Sequence, residues 1–126
     1  MIDLSTIQCW LRDIGWTWEV HDANTLRIAS PEALSPPFFA RCSGEWLQLA
    51  IVPVIARDAP RPRDLSRRLL AVNRDMRLAR FAYQEDGQVV LAAELPTESL
   101  QASELRDAVQ RMVKYVEHYR GYLNEG

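Results

Sequence analysis

Cysteine, glycine and histidine are scarce in this sequence, and each shortage excludes a class of site. Its 126 residues include two cysteines, five glycines and two histidines. Neither Cys9 nor Cys42 belongs to a CxxC pair or a disulfide framework, so we expect both to be reduced and buried in the core. His21 and His118 form no HExxH or zinc-type pattern, and the glycines form no phosphate-binding loop. We therefore expect no metal site and no cofactor.

Long apolar runs and a strong net charge are also missing. The longest apolar run, Leu49 to Ala56, is interrupted by Pro53 and is too short to span a bilayer. The start of the chain lacks the basic and apolar regions of a signal peptide. Lysine and arginine total 15 against 17 acidic residues, for a net charge of -2, so no overall field attracts nucleic acid or acidic lipid. These features predict a cytoplasmic protein that does not contact membranes.

No group of residues has the pattern of a catalytic site. Glu85 and Asp86 fall in a predicted turn, and Glu94 and Glu98 lie on either side of a proline. Neither pair has the buried, concave surroundings that raise the pKa of a general acid. We therefore expect a protein that is not an enzyme.

The sequence does contain a regular succession of helix and strand patterns. With 48% hydrophobic and 25% charged residues it is typical of one globular domain, residues 1–126, large enough to form its own core. Helical spacing is found at about 5–15, 64–76 and 99–123. Strand patterns are found at about 16–21, 26–28, 38–43, 46–54, 78–84 and 89–95. The segment from Ser30 to Pro37 is predicted to be a loop.

The order of these patterns is α-β-β-β-β-α-β-β-α. Neighbouring strands are joined by short turns, the clearest being the Asp86-Gly87 hairpin, which favours antiparallel pairing. We predict an α+β fold in which three helices pack on a largely antiparallel sheet.

Four tryptophans are many for a chain of this length. Three of them, Trp10, Trp16 and Trp18, lie within nine residues, and Trp46 follows later. Trp10 from the first helix together with Trp18 and Trp46 from the sheet would form an apolar groove able to hold a peptide segment. The alternative is that these rings are part of the core.

Arginines are concentrated between residues 57 and 80, where eight of them stand against three aspartates, a local net charge of +5. On the second helix, Arg67, Arg68 and Arg74 are candidate contacts for a phosphate or an acidic partner. No aromatic residues are interleaved with them, which argues against nucleic acid. The alternatives are a solvated helix face or a complement to the acidic segment 85–107 of a second copy.

Residues 69–83, LLAVNRDMRLARFAY, followed by Glu85-Asp86-Gly87 and by VLAAELP at 90–96, resemble the YbjN-like family, described as bacterial sensory-transduction regulators. That family is similar in fold to the type III secretion chaperones. Residues 46–49, WLQL, are similar to its central strand, and residues 104–109 with Tyr115 and Tyr119 are similar to its closing helix. The resemblance implies a small cytoplasmic homodimer that binds other proteins and needs no cofactor.

The resemblance also implies two surfaces. The candidate client-binding residues on the first helix are Ile7, Trp10, Leu11 and Ile14. The candidate dimer-interface residues on the second helix are Leu65, Leu69, Val72 and Met76. The alternative for each apolar stripe is the core of the same chain.

Two functional hypotheses follow. The first is a chaperone-like module that holds a segment of a client protein on the apolar patches of a homodimer. The second is a regulator that binds nucleic acid, or an acidic or phosphorylated partner, through the arginine-rich second helix.

Overall fold

Three helices and six strands are formed by residues 2–29 and 37–124, the parts of the chain that this computed structural model describes. The helices are α1 (Leu4–Ile14), α2 (Leu65–Asp75) and α3 (Ala102–Asn124). The strands are β1 (Thr17–Asp22), β2 (Thr25–Ala29), β3 (Phe38–Ser43), β4 (Trp46–Ile51), β5 (Ala79–Tyr83) and β6 (Val89–Pro96). The predicted element order and fold class are confirmed. The predicted loop at 30–37 lies, except for Pro37, outside the described residues.

Helix α1 begins slightly earlier than predicted because a carboxylate caps it. The backbone N–H of Thr6 donates to Asp3 Oδ1 (3.1 Å), and the Thr6 hydroxyl donates to the same oxygen (3.2 Å). The backbone hydrogen bond is the main reason that the pKa of Asp3 lies below its ordinary value. This bond satisfies one of the free N–H groups of the first helical turn.

A glycine ends α1. Gly15 has φ of 80°, a left-handed conformation that a residue without a side chain adopts at little cost. Its N–H donates to the carbonyl of Arg12 (3.1 Å), and the N–H of Trp16 donates to that of Leu11 (2.9 Å). These two bonds close the helix and lead the chain directly into β1.

The six strands form one sheet in the order β1-β2-β3-β4-β6-β5. Each neighbouring pair is antiparallel, as predicted for most of the sheet. The hairpin β5–β6 therefore joins the sheet through β6, and β5 becomes an edge strand. The other edge strand is β1.

The core lies between one face of this sheet and the helices. The apolar stripes of α1, α2 and α3 all point into the core. Every other residue of the strands faces the same layer. Its largest fully buried side chains include Ile7, Leu11, Leu26, Ile28, Phe38, Leu47, Leu49, Leu91, Leu105 and Met112. No helix packs on the opposite face among the described residues.

Two local predictions are wrong. Strand β4 ends at Ile51 rather than at Val54, because Pro53 has no N–H to continue the hydrogen-bond ladder. Cys9 is exposed rather than part of the core, since it lies about 200° around α1 from Ile7, which is buried. The other thiol, that of Cys42, is half-buried.

Candidate functional site

The four predicted client contacts on α1 differ in exposure. Ile7 and Leu11 are 0% exposed and belong to the core. Trp10 and Ile14 are half-buried and pack against its margin. A side chain without accessible surface cannot contact a client while the fold is intact. The prediction of client contacts is therefore wrong for Ile7 and Leu11. Trp10 and Ile14, which lie one helical turn apart, stay predicted client contacts.

Strand β1 adds apolar surface next to α1. Trp18 and Val20 occupy core-facing positions of β1 through their register with β2. Because β1 is an edge strand, the core does not extend beyond it, and Val20 is 66% exposed. We define the α1–β1 corner by the apolar side chains of these two elements and of the link between them: Trp10, Ile14, Trp16, Trp18 and Val20.

The tryptophans of this corner are fixed by their neighbours. The ring of Trp16 meets that of Phe38 edge-on, with centroids 5.9 Å apart. The guanidinium carbon of Arg12 lies 5.9 Å from the centroid of the Trp18 ring, at a cation–π distance. A pocket of about 360 Å³ opens between these side chains. The corner is therefore a formed surface with a recess, and not a set of loose side chains.

The outer edge of β1 is open. Its inner side pairs with β2, and no other described segment hydrogen-bonds to its outer side. Exposed Glu19 and Asp22 lie on the strand, and the register shifts between Val20 and Asp22. Charges and bulges of this kind limit unspecific pairing of edge strands. The free backbone groups can still pair with an added strand.

The outer edge of β5 is closed by a side chain of α2. The N–H of Phe81 donates to Asn73 Oδ1 (2.7 Å), and Asn73 Nδ2 donates to the carbonyl of Phe81 (2.9 Å). The N–H of Ala79 donates to the carbonyl of Arg77 (2.8 Å). The amide of Asn73 thus occupies the donor and the acceptor that an added strand would need. The two edges of the sheet therefore differ in whether their backbone groups are available to pair with an added strand.

The four predicted dimer contacts on α2 are used inside the chain. Leu65, Leu69, Val72 and Met76 are each at most 6% exposed and pack in the core. Their spacing indicated an apolar face correctly, but that face covers the sheet of its own chain. The prediction that they contact a second subunit directly is therefore wrong for the folded chain, because they offer almost no accessible surface.

That opposite face presents one large apolar side chain. Leu70 is 72% exposed. Nearby, the hydroxyls of Ser66 and Tyr83 are hydrogen-bonded at 2.9 Å, which joins α2 to the end of β5. Tyr83 is itself exposed. Leu70 and Tyr83 thus form an apolar surface along α2 and the closed edge of the sheet, which we call the α2 outer face.

The three candidate arginines differ in their contacts. Arg68 Nε pairs with Asp64 (2.9 Å), and its guanidinium donates to the carbonyl of Tyr122 (2.6 Å) and lies over the ring of that residue. Arg68 therefore ties α2 to the end of α3. Arg67 and Arg74 are exposed, and Arg74 lies 3.5 Å from Asp75. Of the three candidate arginines, only Arg67 and Arg74 present their charges to solvent.

The predicted groove of three tryptophans does not form. Trp18 points to the face of the sheet that carries the helices, whereas Trp46 alternates with buried Leu47 and points to the other face. A groove would need both rings on one side. The alternation of β4 was visible in the sequence, but the relation between the faces of β1 and β4 depends on the register of the strands between them.

Sequence reasoning missed several residues. Leu70 had a signal, since it is apolar and falls off the 65-69-72-76 stripe of α2. No sequence signal identified Val20, because its exposure follows from the position of β1 at the sheet edge. The role of Asn73 had none either, because a polar residue late in a helix gives no sign of pairing with a strand.

The described residues contain no group of three histidine, cysteine, aspartate or glutamate side chains placed to hold a metal ion. Burial raises the pKa of the Cys42 thiol, so it is protonated at neutral pH. None of the helices described here has the length and apolar character needed to cross a membrane.

Comparison with solved structures shows the same fold in several proteins. A chain of the heterodimeric ExoU–SpcU complex from the type III secretion system of Pseudomonas aeruginosa is 20% identical, with a TM-score of 0.70 and full coverage of both chains. A chain of the ExsC–ExsE complex is 18% identical, with a TM-score of 0.75 and 99% of both chains covered. YbjN from E. coli is 13% identical, with a TM-score of 0.67 over 96% of this chain and 93% of that one.

At these identities the likeness concerns the fold alone. A search of the curated proteins gave no match. A family model does match, over residues 28–125; it is TY-Chap1, described as T3SS (YopN, CesT) and YbjN peptide-binding chaperone 1. The match begins within β2, so α1 and β1 precede it, while both elements are included in the likeness to the ExoU–SpcU chain.

Proposed function

Since this chain belongs to the TY-Chap1 family of peptide-binding chaperones, we propose that it holds an extended segment of a client protein at the α1–β1 corner. The observation that carries this proposal is the difference between the two sheet edges. Asn73 occupies the backbone N–H and carbonyl of Phe81 in the middle of β5, whereas the outer side of β1 is free in the described residues. An extended segment therefore finds hydrogen-bonding partners at β1.

Backbone pairing supplies affinity without regard to sequence, and side chains supply selectivity. A strand added beside β1 places alternate side chains on the face that carries Trp18 and Val20. Trp10 and Ile14 on α1 extend the apolar surface there. Large aromatic anchors of this kind dominate the energy of many interfaces, so the preferred client segment has apolar residues at every second position.

We further propose that two copies of the chain associate through the α2 outer face. Leu70 is the most exposed large apolar side chain among the described residues, and the Tyr83 hydroxyl is hydrogen-bonded to Ser66, one helical turn before Leu70. Two-fold association buries the same residues of both copies, so each residue contact occurs twice in the interface. The stripe of Leu65, Leu69, Val72 and Met76 supports this surface from the inside by fixing α2 on the sheet.

The proposed action is binding alone, without turnover of a substrate. The proposed location is the cytoplasm, because an exposed free thiol such as that of Cys9 persists in a reducing compartment. The arginine-based alternative has less support, since Arg68 is committed to contacts within the chain.

The test uses a phage-displayed library of random 20-residue peptides selected on the immobilised protein. Selected peptides are then titrated against the wild type and Val20→Asp. The substitution removes an apolar contact of about 1.5–3 kcal/mol, so the dissociation constant is expected to rise about tenfold or more. Val20 is mostly exposed, so the unfolding free energy is expected to change by less than about 0.5 kcal/mol.

Leu70→Asp is the matched control, because it makes the same kind of change at an equally exposed position on the α2 outer face. It is expected to leave peptide affinity unchanged. Equal weakening by both variants, or none from Val20→Asp, would contradict binding at the α1–β1 corner.

A further inference from the structure

A pocket of about 500 Å³ lies where the start of β4 meets the end of β6, and it shares no residue with the α1–β1 corner or the α2 outer face. This volume lies within the range of small-ligand sites. Its wall consists of apolar, acidic and hydroxyl side chains and contains no basic residue. The lining residues are Ile2, Glu45, Trp46, Pro96, Thr97, Glu98, Ser99 and Leu100.

The aromatic wall is Trp46, which is 45% exposed. A tryptophan face attracts cations through its quadrupole. This chain places Arg12 over Trp18 and Arg68 over Tyr122, but none of its described cations lies over Trp46. The exposed ring of Trp46 is therefore not covered by any cation of the described residues.

Two carboxylates accompany this ring, those of Glu45 and Glu98. Neither forms an ion pair with any cation of residues 2–29 and 37–124. Other carboxylates of the chain do have such partners; Glu94, for example, lies 3.6 Å from Arg80. The pocket thus concentrates negative charge beside an aromatic face without compensating it internally.

The backbone that carries these groups is held in place. Thr97 is 5% exposed, and both its N–H (2.8 Å) and its hydroxyl (3.0 Å) donate to the carbonyl of Glu45. Trp46 pairs with Pro96 in the sheet. These contacts hold together the backbone segments that carry Glu45, Trp46 and Glu98, whose side chains are exposed.

We propose that this pocket binds the side chain of an arginine supplied by the client segment; the inference rests on the proposed peptide-binding function. A guanidinium stacks on an aromatic face and pairs with carboxylates through its planar set of donors. The aliphatic stem of an arginine packs on Ile2 and Leu100, while its head meets Trp46 and the two glutamates. Charge complementarity selects this occupant over an apolar or acidic side chain.

The experiment titrates N-acetyl-arginine amide into the ¹⁵N-labelled full chain and follows its ¹H–¹⁵N correlation spectrum. The control ligand is N-acetyl-citrulline amide, which has nearly the same shape without the charge. The indole N–H signal of Trp46 is assigned from its absence in Trp46→Phe. The arginine derivative is expected to shift this signal and the amides of Glu45, Thr97 and Glu98, saturating at about 1–10 mM.

Glu45→Gln/Glu98→Gln is the matched variant, since both positions are exposed and keep their shape. It is expected to raise the dissociation constant at least fivefold, and salt at about 0.5 M is expected to weaken binding by a similar factor. Asp58→Asn, an exposed acidic residue of the connector before α2, is expected to change nothing.

Equal shifts for the arginine and citrulline probes, or shifts centred on Trp10, Trp16 and Trp18, would overturn the inference. The readout needs no client, so its failure is separable from that of the proposed function. If selected peptides bind at the α1–β1 corner while N-acetyl-arginine amide leaves Trp46 unperturbed, the arginine pocket alone is refuted. If the arginine derivative titrates Trp46 and no peptide binds at that corner, the proposed function alone is refuted.

Discussion

Neighbouring side chains on α1 have different roles although they share one apolar stripe. Leu11 has no accessible surface, while Trp10 lies at the margin of the core with part of its ring exposed. Removing a fully buried side chain leaves a cavity, whereas truncating a marginal one mainly removes surface. If α1 binds the client as proposed, stability and client binding depend on different residues of this helix.

This difference can be measured with two alanine variants. Leu11→Ala is expected to lower the unfolding free energy by about 2–5 kcal/mol. Trp10→Ala is expected to lower it by about 1 kcal/mol but to weaken binding of the selected peptides about tenfold. Urea unfolding followed by circular dichroism gives the first quantity, and peptide titration gives the second. A loss of stability from Trp10→Ala as large as that from Leu11→Ala would place Trp10 in the core and remove it from the client surface.

Among the strands, the two edge strands differ in how their outer backbone groups are protected. The amide of Asn73 makes a donor and an acceptor bond to the backbone of Phe81, so α2 protects the middle of β5. Within residues 2–29 and 37–124, the edge of β1 has only charges and a register shift as protection. An unprotected edge promotes aggregation, so an open β1 edge is consistent with the proposal that this edge binds the client.

Asn73→Ala is expected to open the β5 edge. The Phe81 backbone loses both partners, which costs about 1–3 kcal/mol, and its amide hydrogen is expected to exchange about tenfold faster or more. Native-state hydrogen exchange measures this directly, and light scattering is expected to show more self-association. Arg74→Ala, an exposed neighbour on the same helix, is the control. Unchanged protection of Phe81 would show that the edge is closed by something other than Asn73.

In the molecule as a whole, the proposed contact surfaces are separated. The α1–β1 corner lies at one edge of the sheet, and the α2 outer face lies at the other, beyond β5. A dimer formed through the α2 outer face therefore leaves both corners free. Two copies would then present two client sites on one particle, which raises the effective affinity for a long segment that reaches both.

This arrangement predicts that association and peptide binding respond to different substitutions. Leu70→Asp is expected to raise the dimer dissociation constant at least tenfold, because the change occurs in both copies at a shared contact. Sedimentation equilibrium from about 1 to 100 μM, within the range typical of moderate association, measures it. Val20→Asp serves here as the control and is expected to leave association unchanged. A wild-type chain that stays monomeric at the highest concentration would contradict the dimer.

The resemblance found in residues 69–96 is confirmed by the family model, which matches residues 28–125. That stretch could be recognised because it combines the end of α2, the β5–β6 hairpin and its Asp86-Gly87 turn in one continuous segment. The candidate sites were harder to predict, since an apolar stripe identifies the buried face of a helix and says nothing about what lies on the other face. Leu70 was therefore passed over in favour of the buried Leu65, Leu69, Val72 and Met76.

The sequence determined what depends on neighbours along the chain: the helices and strands, their order, the turns at Gly15, Gly44 and Gly87, and the absence of metal and disulfide patterns. Hydrophobic period, capping and turn chemistry act over a few residues, so a linear reading captures them. The three-dimensional arrangement decided which strands became edges, that Asn73 closes β5, and that Trp18 and Trp46 lie on opposite faces. Those outcomes depend on pairing between distant segments, because insertion of β6 beside β4 leaves β1 and β5 at the edges.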